Sequence, residues 1–403
     1  MVIERAMAAV VLASLVYVAL QYGVWGHLPR PFHSDPSQSL MDFYNTAYWA
    51  NRPGAYTVWH TVYPPLSFVF ARLITRRACY AGTPFDARSC DPAAVWLIVA
   101  FYLANVALVY LSLRRSRQAV AIPRTLALCV GLPMLYGLEL ANLIIPCFTF
   151  FVLAEGALLR SAVARQFCRA IAFNFKLYLF VIAVPKLLRL RVRWLLGLAA
   201  AFLIIYLITF VIFGAGTPRE MILDLMSYAR GETRTFLVEN HLSTISANSN
   251  DIWNRTIPIA LRIGEFIAVA GLLMGSTPGG SVNNHRLMAL ALSLVCAEAA
   301  IHTQGFSADY TQIFLIFVIF LDRDWSLGSA IVTISAYLLC VSADRSLIPG
   351  YSQSMQSFLS GYTVRVDFDL ALSQFVRPVL LVIIQLGLAG LVWRDARLPS
   401  QAG

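Results

Sequence analysis

Residues 194–213 read WLLGLAAAFLIIYLITFVIF, a stretch without a charged side chain. An α-helix of this length extends roughly 30 Å, which is the thickness of the hydrocarbon core of a bilayer. Hydrophobic residues make up 59% of the 403 positions and charged residues only 13%, too few for the polar surface of a soluble protein of this size. The stretch therefore predicts a membrane-spanning helix in an all-α, polytopic membrane protein.

Similar apolar runs recur along the chain, and we expect ten to twelve spans packed as one helical bundle. The other runs cover residues 6–25, 93–113, 125–138, 142–159, 256–275, 287–301, 308–321, 327–342 and 370–393. The run 6–25 lacks a small-x-small cleavage site, so we interpret it as a retained first helix rather than a signal peptide. No linker or internal repeat divides the sequence, and residues 1–403 are predicted to form a single transmembrane domain.

Arginine-rich segments set the expected orientation of the chain. They lie at 114–124, 160–169, 186–193 and 394–397. By the positive-inside rule these segments and both termini face the cytoplasm, and we expect a bacterial inner membrane. The same count places residues 26–92, 214–255, 302–308 and 343–369 outside. Because topology explains the net charge of +10, we expect the bilayer and no nucleic acid as a partner.

Segment 163–188 carries basic residues at both ends, so both ends favour the cytoplasm. A helical hairpin broken near Asn174–Lys176 would satisfy this bias and would bring Lys176 into the protein interior. One ordinary span with an imperfect charge bias is the alternative. The sequence leaves both open.

The first outer loop, residues 26–92, is too long for a simple connector. Asp35, followed by Pro36 and Gln38, predicts the N-terminal cap of a helix that runs to Asn51. The sequence Tyr63-Pro64-Pro65 predicts the start of a second helix that ends near Arg76. Both segments are rich in aromatic residues and are expected to lie along the membrane interface.

Two cysteines, Cys79 and Cys90, bracket a polar stretch of this loop. On the oxidising side of a membrane they are expected to form a disulfide, with two unpaired thiols as the alternative.

Asp42 is the one carboxylate in the outer loop without a local structural explanation. Asn45 and Trp49 share its face of the predicted helix, which brings an acceptor, a donor and a stacking ring together. This composition suits a carbohydrate-facing surface. A lone aspartate on an amphipathic helix is also commonly just solvated, so composition alone does not decide.

The stretch Asp42–Ala50, followed by Tyr63-Pro64-Pro65, resembles the first outer loop of the polyprenyl-phosphate-mannose-dependent mannosyltransferases. These belong to the GT-C glycosyltransferase superfamily and include the enzyme that elongates phosphatidylinositol mannosides. Further similarities follow in the family's order at Asn142, at Lys176-Leu177-Tyr178, at Asp224–Tyr228, at Asn240–Ser243, at Asn250–Trp253 with Arg255, and at Asp309-Tyr310. The chain departs from the family where Glu139 and Leu140 replace Gly and Gln, and where Leu179 replaces Pro.

The resemblance implies a GT-C-like architecture and an enzyme that moves a hexose, expected to be mannose, from a polyprenyl-phosphate donor. The acceptor would be lipid-linked or a glycan, and the reaction a single inverting displacement at the outer face. Asp42 would act as the general base, and Lys176 and Arg255 would bind the donor phosphate, with Arg52 and Arg72 as weaker candidates. Further substrate contacts are expected from Asn45, Trp49, Tyr63, Asn142, Asn250, His302 and Asp309. No cofactor is expected and, without a DxD motif in an outer loop, no metal.

Two other classes of protein would also be polytopic. A lipid or glycan transporter or flippase is expected to show matching halves with broken helices, and no such pairing is visible in the sequence. A polysaccharide polymerase or ligase is expected to carry an arginine-rich outer loop late in the chain, whereas 343–369 contains only Arg345 and Arg365. We favour the glycosyltransferase, and the other two remain alternatives.

Overall fold

The protein folds into a mostly helical bundle in this computed structural model, which describes residues 2–32, 35–116, 118–230, 251–277, 282–302, 309–322 and 326–397. The helices are α1 (Val2–Trp25), α2 (Met41–Asn51), α3 (Pro65–Ile74), α4 (Pro84–Cys90), α5 (Ala94–Ser116), α6 (Ala121–Cys129), α7 (Leu132–Glu139), α8 (Ile144–Glu155), α9 (Ala162–Phe175), α10 (Val184–Leu188), α11 (Val192–Phe213), α12 (Pro218–Arg230), α13 (Asp251–Gly275), α14 (Asn284–His302), α15 (Gln312–Leu321), α16 (Leu327–Leu339) and α17 (Ser373–Arg397). Short 3-10 turns cover Pro36–Gln38, Arg77–Tyr80, Gln118–Val120 and Leu177–Ala183. Two strands, β1 (Ser346–Gln356) and β2 (Thr363–Ala371), form an antiparallel hairpin.

Seven helical segments of the described chain are long and apolar enough to cross a membrane. They are Val2–Trp25, Ala94–Ser116, Ala121–Glu139, Val192–Phe213, Thr256–Gly275, Asn284–Ile301 and Ser373–Arg397. The expected number of ten to twelve is too high for this part of the chain, because three apolar runs fold into the shorter helices α8, α15 and α16. All ten residues of α15 are buried. Its hydrophobicity therefore serves the protein core rather than a lipid-facing surface.

The β-hairpin corrects the all-α prediction. In β2 the side chains of Val364, Val366 and Phe368 are buried together, whereas Arg365 and Asp367 are exposed. This alternation is the period of two that a half-buried strand requires. The hairpin occupies most of the predicted late outer loop, residues 343–369.

Segment 163–188 folds back on itself, as the hairpin alternative predicts. Helix α9 ends where Lys176 adopts an extended backbone (φ −141°, ψ 100°), and the turn Leu177–Ala183 and α10 then return. At the start of the segment, Gln166 donates a hydrogen bond to the Trp194 carbonyl (3.3 Å), and the Arg169 guanidinium lies over the Trp194 ring. Because Trp194 follows the end of the segment, both ends lie at the same end of the bundle, and Lys176 is at the buried tip with 7% exposure.

The helices of the first loop begin and end close to the predicted positions, with one correction. The Asp35 carboxylate caps only the 3-10 turn Pro36–Gln38, accepting a hydrogen bond from the Ser37 amide (2.8 Å). Leu40 then takes a left-handed conformation (φ 68°), so α2 begins at Met41 rather than at Pro36. Cys79 and Cys90, the pair expected from the sequence, are joined by a disulfide.

Three arginines bind backbone carbonyls, two of them within this loop and one at the end of α11. Arg52 Nε donates to the Tyr80 oxygen (2.9 Å), and Arg72 Nη1 donates to the Phe213 oxygen at the end of α11 (2.8 Å). Arg88 Nη1 donates to the oxygens of Ser37 and Ser39, each at 2.7 Å. Arg52 and Arg72 therefore hold the loop in place, which weakens them as phosphate ligands.

A buried ion pair joins α1 to α6 at the opposite end of the bundle. Arg124 Nε lies 2.7 Å from Glu4 Oε2, and Nη2 lies 3.0 Å from Oε1, with both side chains almost fully buried. The Tyr337 hydroxyl donates to the same carboxylate (3.1 Å), and Arg124 also donates to the Phe320 carbonyl. The pair thus ties α1, α6, α15 and α16 together.

Replacing Glu4 with Gln is expected to lower the free energy of unfolding by about 3–5 kcal/mol, because the buried Arg124 charge loses its partner. Thermal unfolding in detergent micelles measures this loss. The control is Asp367→Asn, which breaks an exposed ion pair with Arg365 (3.6 Å) and should change stability by about 1 kcal/mol or less. The double variant Glu4→Leu/Arg124→Met should recover most of the loss, and an unchanged Glu4→Gln protein would contradict a structural role for the pair.

Candidate active site

Asp42 contacts an asparagine far along the chain. It lies in the first turn of α2, and Asn142 Nδ2 donates a hydrogen bond to Asp42 Oδ2 at 2.6 Å. Asn142 is fully buried, and its Oδ1 accepts a hydrogen bond from the Ile144 amide (2.8 Å) at the start of α8. One asparagine therefore closes a local turn just before α8 and holds the carboxylate that the sequence singles out.

A break between α7 and α8 places Asn142 at this position. Ala141 adopts a left-handed conformation (φ 50°), which a residue with a Cβ rarely takes. The Asn142 amide nitrogen then donates to the Gly137 carbonyl (2.8 Å), which closes the end of α7. The polar side chain thus lies at a helix break inside an otherwise apolar region.

Lys176 reaches the same region from the tip of the α9–α10 hairpin. Its Nζ lies 3.5 Å from the Tyr63 hydroxyl, 4.5 Å from the centroid of the Tyr63 ring and 5.6 Å from that of Tyr310. Aromatic faces stabilise an ammonium group without neutralising it. The site therefore contains a buried cation that is held by two tyrosines.

Asp309 lies just before α15, within the electrostatic reach of Lys176. Its carboxylate accepts hydrogen bonds from the backbone amide (2.8 Å) and the hydroxyl of Thr311. Burial raises the pKa of Asp309, while the Thr311 hydrogen bonds and the charges of Arg377 and Lys176 oppose that shift. The carboxyl group of Asp309 consequently keeps its proton to a higher pH than an ordinary aspartate.

Two stacked tyrosines lie within the electrostatic reach of both aspartates. The rings of Tyr136 and Tyr310 are 5.9 Å apart, and both hydroxyls are affected by the charges of Asp42 and Asp309. Burial is the main cause that raises the pKa of Tyr310, so its hydroxyl stays protonated and can donate. The Tyr178 hydroxyl is buried and has no hydrogen-bond partner among the described residues.

Tyr136, Tyr178 and Arg377 were not among the site residues predicted from the sequence. A usable signal was present, because a tyrosine or arginine inside an apolar run must satisfy its polar end within the protein. Arg377, near the start of α17, does so by donating to Gln312 Oε1 (3.3 Å) and to the carbonyls of Leu339 and Val341.

The structure brings Asp42, Tyr63, Asn142, Lys176 and Asp309 together. It does not place the other predicted substrate-binding residues with them. Asn45 and Trp49 are partly buried on α2, and Trp49 packs against the hydrophobic core. Asn250 lies outside the described residues, as do the side chains of Arg255 and His302. The structure therefore does not test the prediction that Arg255 binds the donor phosphate.

This arrangement combines an oriented carboxylate with a fixed positive charge. Asp42 can accept a proton, and Asn142 limits the rotation of its carboxylate. Lys176 and the tyrosine hydroxyls can stabilise an anion in a site that excludes most water. The described residues contain no group of three or more His, Cys, Asp or Glu side chains suited to a metal ion.

No protein-family model, curated protein or solved structure matches this chain.

The hydrogen bond between Asp42 and Asn142 is expected to give a coupling free energy of about 1–3 kcal/mol in a double-mutant cycle with Asp42→Ala and Asn142→Ala. The reason is that the amide donates to a carboxylate away from bulk water. Chemical or thermal unfolding of the two single variants and the double variant measures the coupling. The cycle of Asp42→Ala with Asn51→Ala, at the other end of α2, should be additive to within about 0.5 kcal/mol. Additivity in both cycles would contradict the contact.

Proposed function

We propose that the protein is a membrane glycosyltransferase that moves a hexose, in the simplest case mannose, from a polyprenyl-phosphate donor to an acceptor hydroxyl. The observation that carries the proposal is the convergence of Asp42, Tyr63, Asn142, Lys176 and Asp309. These residues come from five separate segments, and each was singled out from the sequence before any contact was known. The GT-C-like architecture belongs to the same proposal.

Asp42 is the proposed general base. The acceptor hydroxyl donates a hydrogen bond to this carboxylate, and its proton passes to Asp42 as the oxygen forms a bond with the anomeric carbon. The bond between that carbon and the phosphate oxygen breaks at the same time, and its electron pair leaves with the phosphate. Asn142 has a positioning role, because it holds Asp42 Oδ2. Attack opposite to the leaving group inverts the anomeric centre.

Lys176 is the proposed partner of the departing phosphate. The leaving polyprenyl phosphate gains negative charge, which a nearby ammonium group stabilises without a proton transfer. Tyr63 and Tyr310 hold this ammonium in place through their ring faces. Because phosphate is already a good leaving group, no general acid is needed on that side.

We further propose that the site faces the outside, or the periplasm, of a bacterial inner membrane, with both termini in the cytoplasm. The Cys79–Cys90 disulfide supports this orientation, since stable disulfides form in oxidising compartments. The arginines and the lysine near both ends of segment 163–188 also support this orientation, because the positive-inside rule places them on the cytoplasmic side.

A lipid or glycan flippase is the second candidate. It is favoured by the two helix breaks that carry site residues, at Asn142 and at Lys176, because transporters also place binding groups at broken helices. Transport does not require a general base. A requirement for the Asp42 carboxylate as a base would therefore distinguish a glycosyltransferase from a flippase.

Changing Asp42 to Asn is expected to reduce sugar transfer by about 100-fold or more, since the amide cannot accept the proton while it keeps the shape of the carboxylate. The assay follows radiolabelled mannose from synthetic polyprenyl-phosphomannose into a membrane lipid extract. Asp86→Asn is the matched control, because Asp86 is an exposed capping residue of α4 in the same loop. Equal transfer by the Asp42→Asn and wild-type proteins would remove Asp42 from the mechanism. The absence of transfer in both would favour transport.

Changing Lys176 to Met is expected to lower kcat by about 100-fold, because the departing phosphate loses its positive partner while the buried volume is retained. Lys186→Met is the matched control, since Lys186 is the other lysine of the chain and lies at the opposite end of the same hairpin. Lys176→Arg should restore part of the activity. An unchanged kcat in Lys176→Met would show that another group binds the phosphate.

A further inference from the structure

A second polar cavity lies between the end of α1 and the β-hairpin. Its volume is about 480 Å³, within the range of roughly 300–1,000 Å³ that is usual for small-molecule sites. Six charged side chains line it: Arg30, Arg345, Arg365, Asp344, Asp367 and Asp369. None of these residues belongs to the site around Asp42, and the proposed mechanism does not use them.

An apolar cluster separates this cavity from the candidate active site. Phe32 is buried against Val18 of α1 and Leu132 of α7, and Tyr136 packs against the same cluster. Pro29 and Arg30, just before Phe32, line the cavity, whereas Tyr136 stacks on Tyr310 in the active site. The two sites are therefore neighbours on opposite sides of one layer of side chains.

The hairpin also reaches the chain that leads to Asp42. The Phe358 amide at its tip donates to the Pro36 carbonyl (3.1 Å), and the Phe358 ring lies under the Arg88 guanidinium (3.7 Å to the centroid). Arg88 in turn holds Ser37 and Ser39, just before α2. The hairpin thus contacts both regions, since residues near its base line the cavity and its tip contacts the segment just before α2.

The charges in the cavity are balanced, which argues against an anionic ligand. Three arginines face three aspartates, and Arg365 and Asp367 already form an exposed pair. A phosphate site would need an excess of positive charge and donors. Paired donors and acceptors in equal number suit a neutral ligand that carries many hydroxyl groups, because each hydroxyl both donates and accepts.

Two exposed aromatic rings complete the lining. Trp25, at the end of α1, is 48% exposed, and Tyr17, two turns earlier, is 44% exposed. Gln21 lies between them and donates to the Tyr17 hydroxyl (2.6 Å). The apolar C–H face of a sugar ring packs against a flat aromatic ring, and its hydroxyl edge forms hydrogen bonds with neighbouring polar groups. The cavity offers both kinds of group side by side.

We infer that this cavity binds a neutral saccharide, and that the saccharide is the glycan part of the acceptor. The second half of this inference depends on the proposed function, whereas the binding itself does not. The cavity would hold sugar residues remote from the reacting hydroxyl, with the acceptor passing around the edge of the apolar layer, so it would influence which acceptors are used.

The test measures saccharide binding by the full-length protein that carries Asp42→Asn, so that no transfer can occur. The probes are methyl α-mannoside, mannobiose and cellobiose, with inorganic phosphate as the anionic probe, followed by ligand-observed NMR. The protein is placed in lipid nanodiscs, because a maltoside detergent would itself present a sugar. Trp25→Ala and Asp367→Asn alter the cavity, and Trp96→Ala is the matched control, since Trp96 is 71% exposed at the start of α5 and does not line the cavity.

We expect at least one saccharide to bind, and Trp25→Ala and Asp367→Asn each to raise its Kd by about tenfold, while Trp96→Ala leaves it unchanged. In the enzyme with Asp42 intact, the same two variants should raise the KM for the acceptor with little change in kcat. Binding of phosphate but of no saccharide, or saccharide binding that all three variants leave unchanged, would overturn the inference. Saccharide binding in this experiment, together with no sugar transfer by the protein with Asp42 intact, would overturn only the proposed function.

Discussion

The arrangement of this protein depends on the requirement that backbone hydrogen-bonding groups be satisfied where water is absent. A long apolar helix meets this requirement by itself, and six of the seven candidate spans of the described chain are continuous helices. Where a helix is interrupted, as at Ala141–Asn142 and at Lys176, the break must be covered by protein. Both breaks are buried, and both carry a polar side chain of the candidate site. Each of these two helix breaks thus places one polar side chain in the candidate site.

The first loop completes the site from outside the bundle. It supplies Asp42 on α2 and Tyr63 before α3, and these meet side chains that the helix breaks supply. Arg52 and Arg88 bind backbone carbonyls within the loop, and Arg72 binds the Phe213 carbonyl at the end of α11, so the loop is braced internally and joined to the bundle. Under the proposed function, the donor and the acceptor would meet where the loop and the bundle join.

The sequence allowed much of this to be predicted, for identifiable physical reasons. Long uncharged runs have one stable solution in a bilayer, so the spanning helices were predicted within a few residues. Proline and glycine marked the end of α2 and the start of α3, because their backbone preferences act locally. The basic residues at both ends of segment 163–188 made a hairpin one of two alternatives, and the structure shows this hairpin with Lys176 buried.

What could not be predicted depends on contacts between distant segments. The apolar run 308–321 has the composition of a span, but α15 is short and buried on all sides, which only its neighbours reveal. The left-handed Leu40 that delays α2 follows from its packing against α7, where the Leu40 amide donates to the Glu139 carbonyl (2.9 Å). The contact of Asn142 with Asp42 likewise joins residues that no local pattern connects.

The segment closed by the Cys79–Cys90 disulfide has a further connection to α2. Immediately after Cys90, Asp91 accepts a hydrogen bond from the Arg76 amide (2.8 Å) through its side chain and from the Tyr44 hydroxyl (2.8 Å) through its backbone. Tyr44 lies two residues after Asp42. The disulfide is therefore connected to the helix that carries the Asp42 carboxylate through Asp91 and Tyr44. Under the proposed function and orientation, a newly made chain would complete its active site only after this loop had left the reducing compartment. Copies that fail to export the loop would then transfer no sugar.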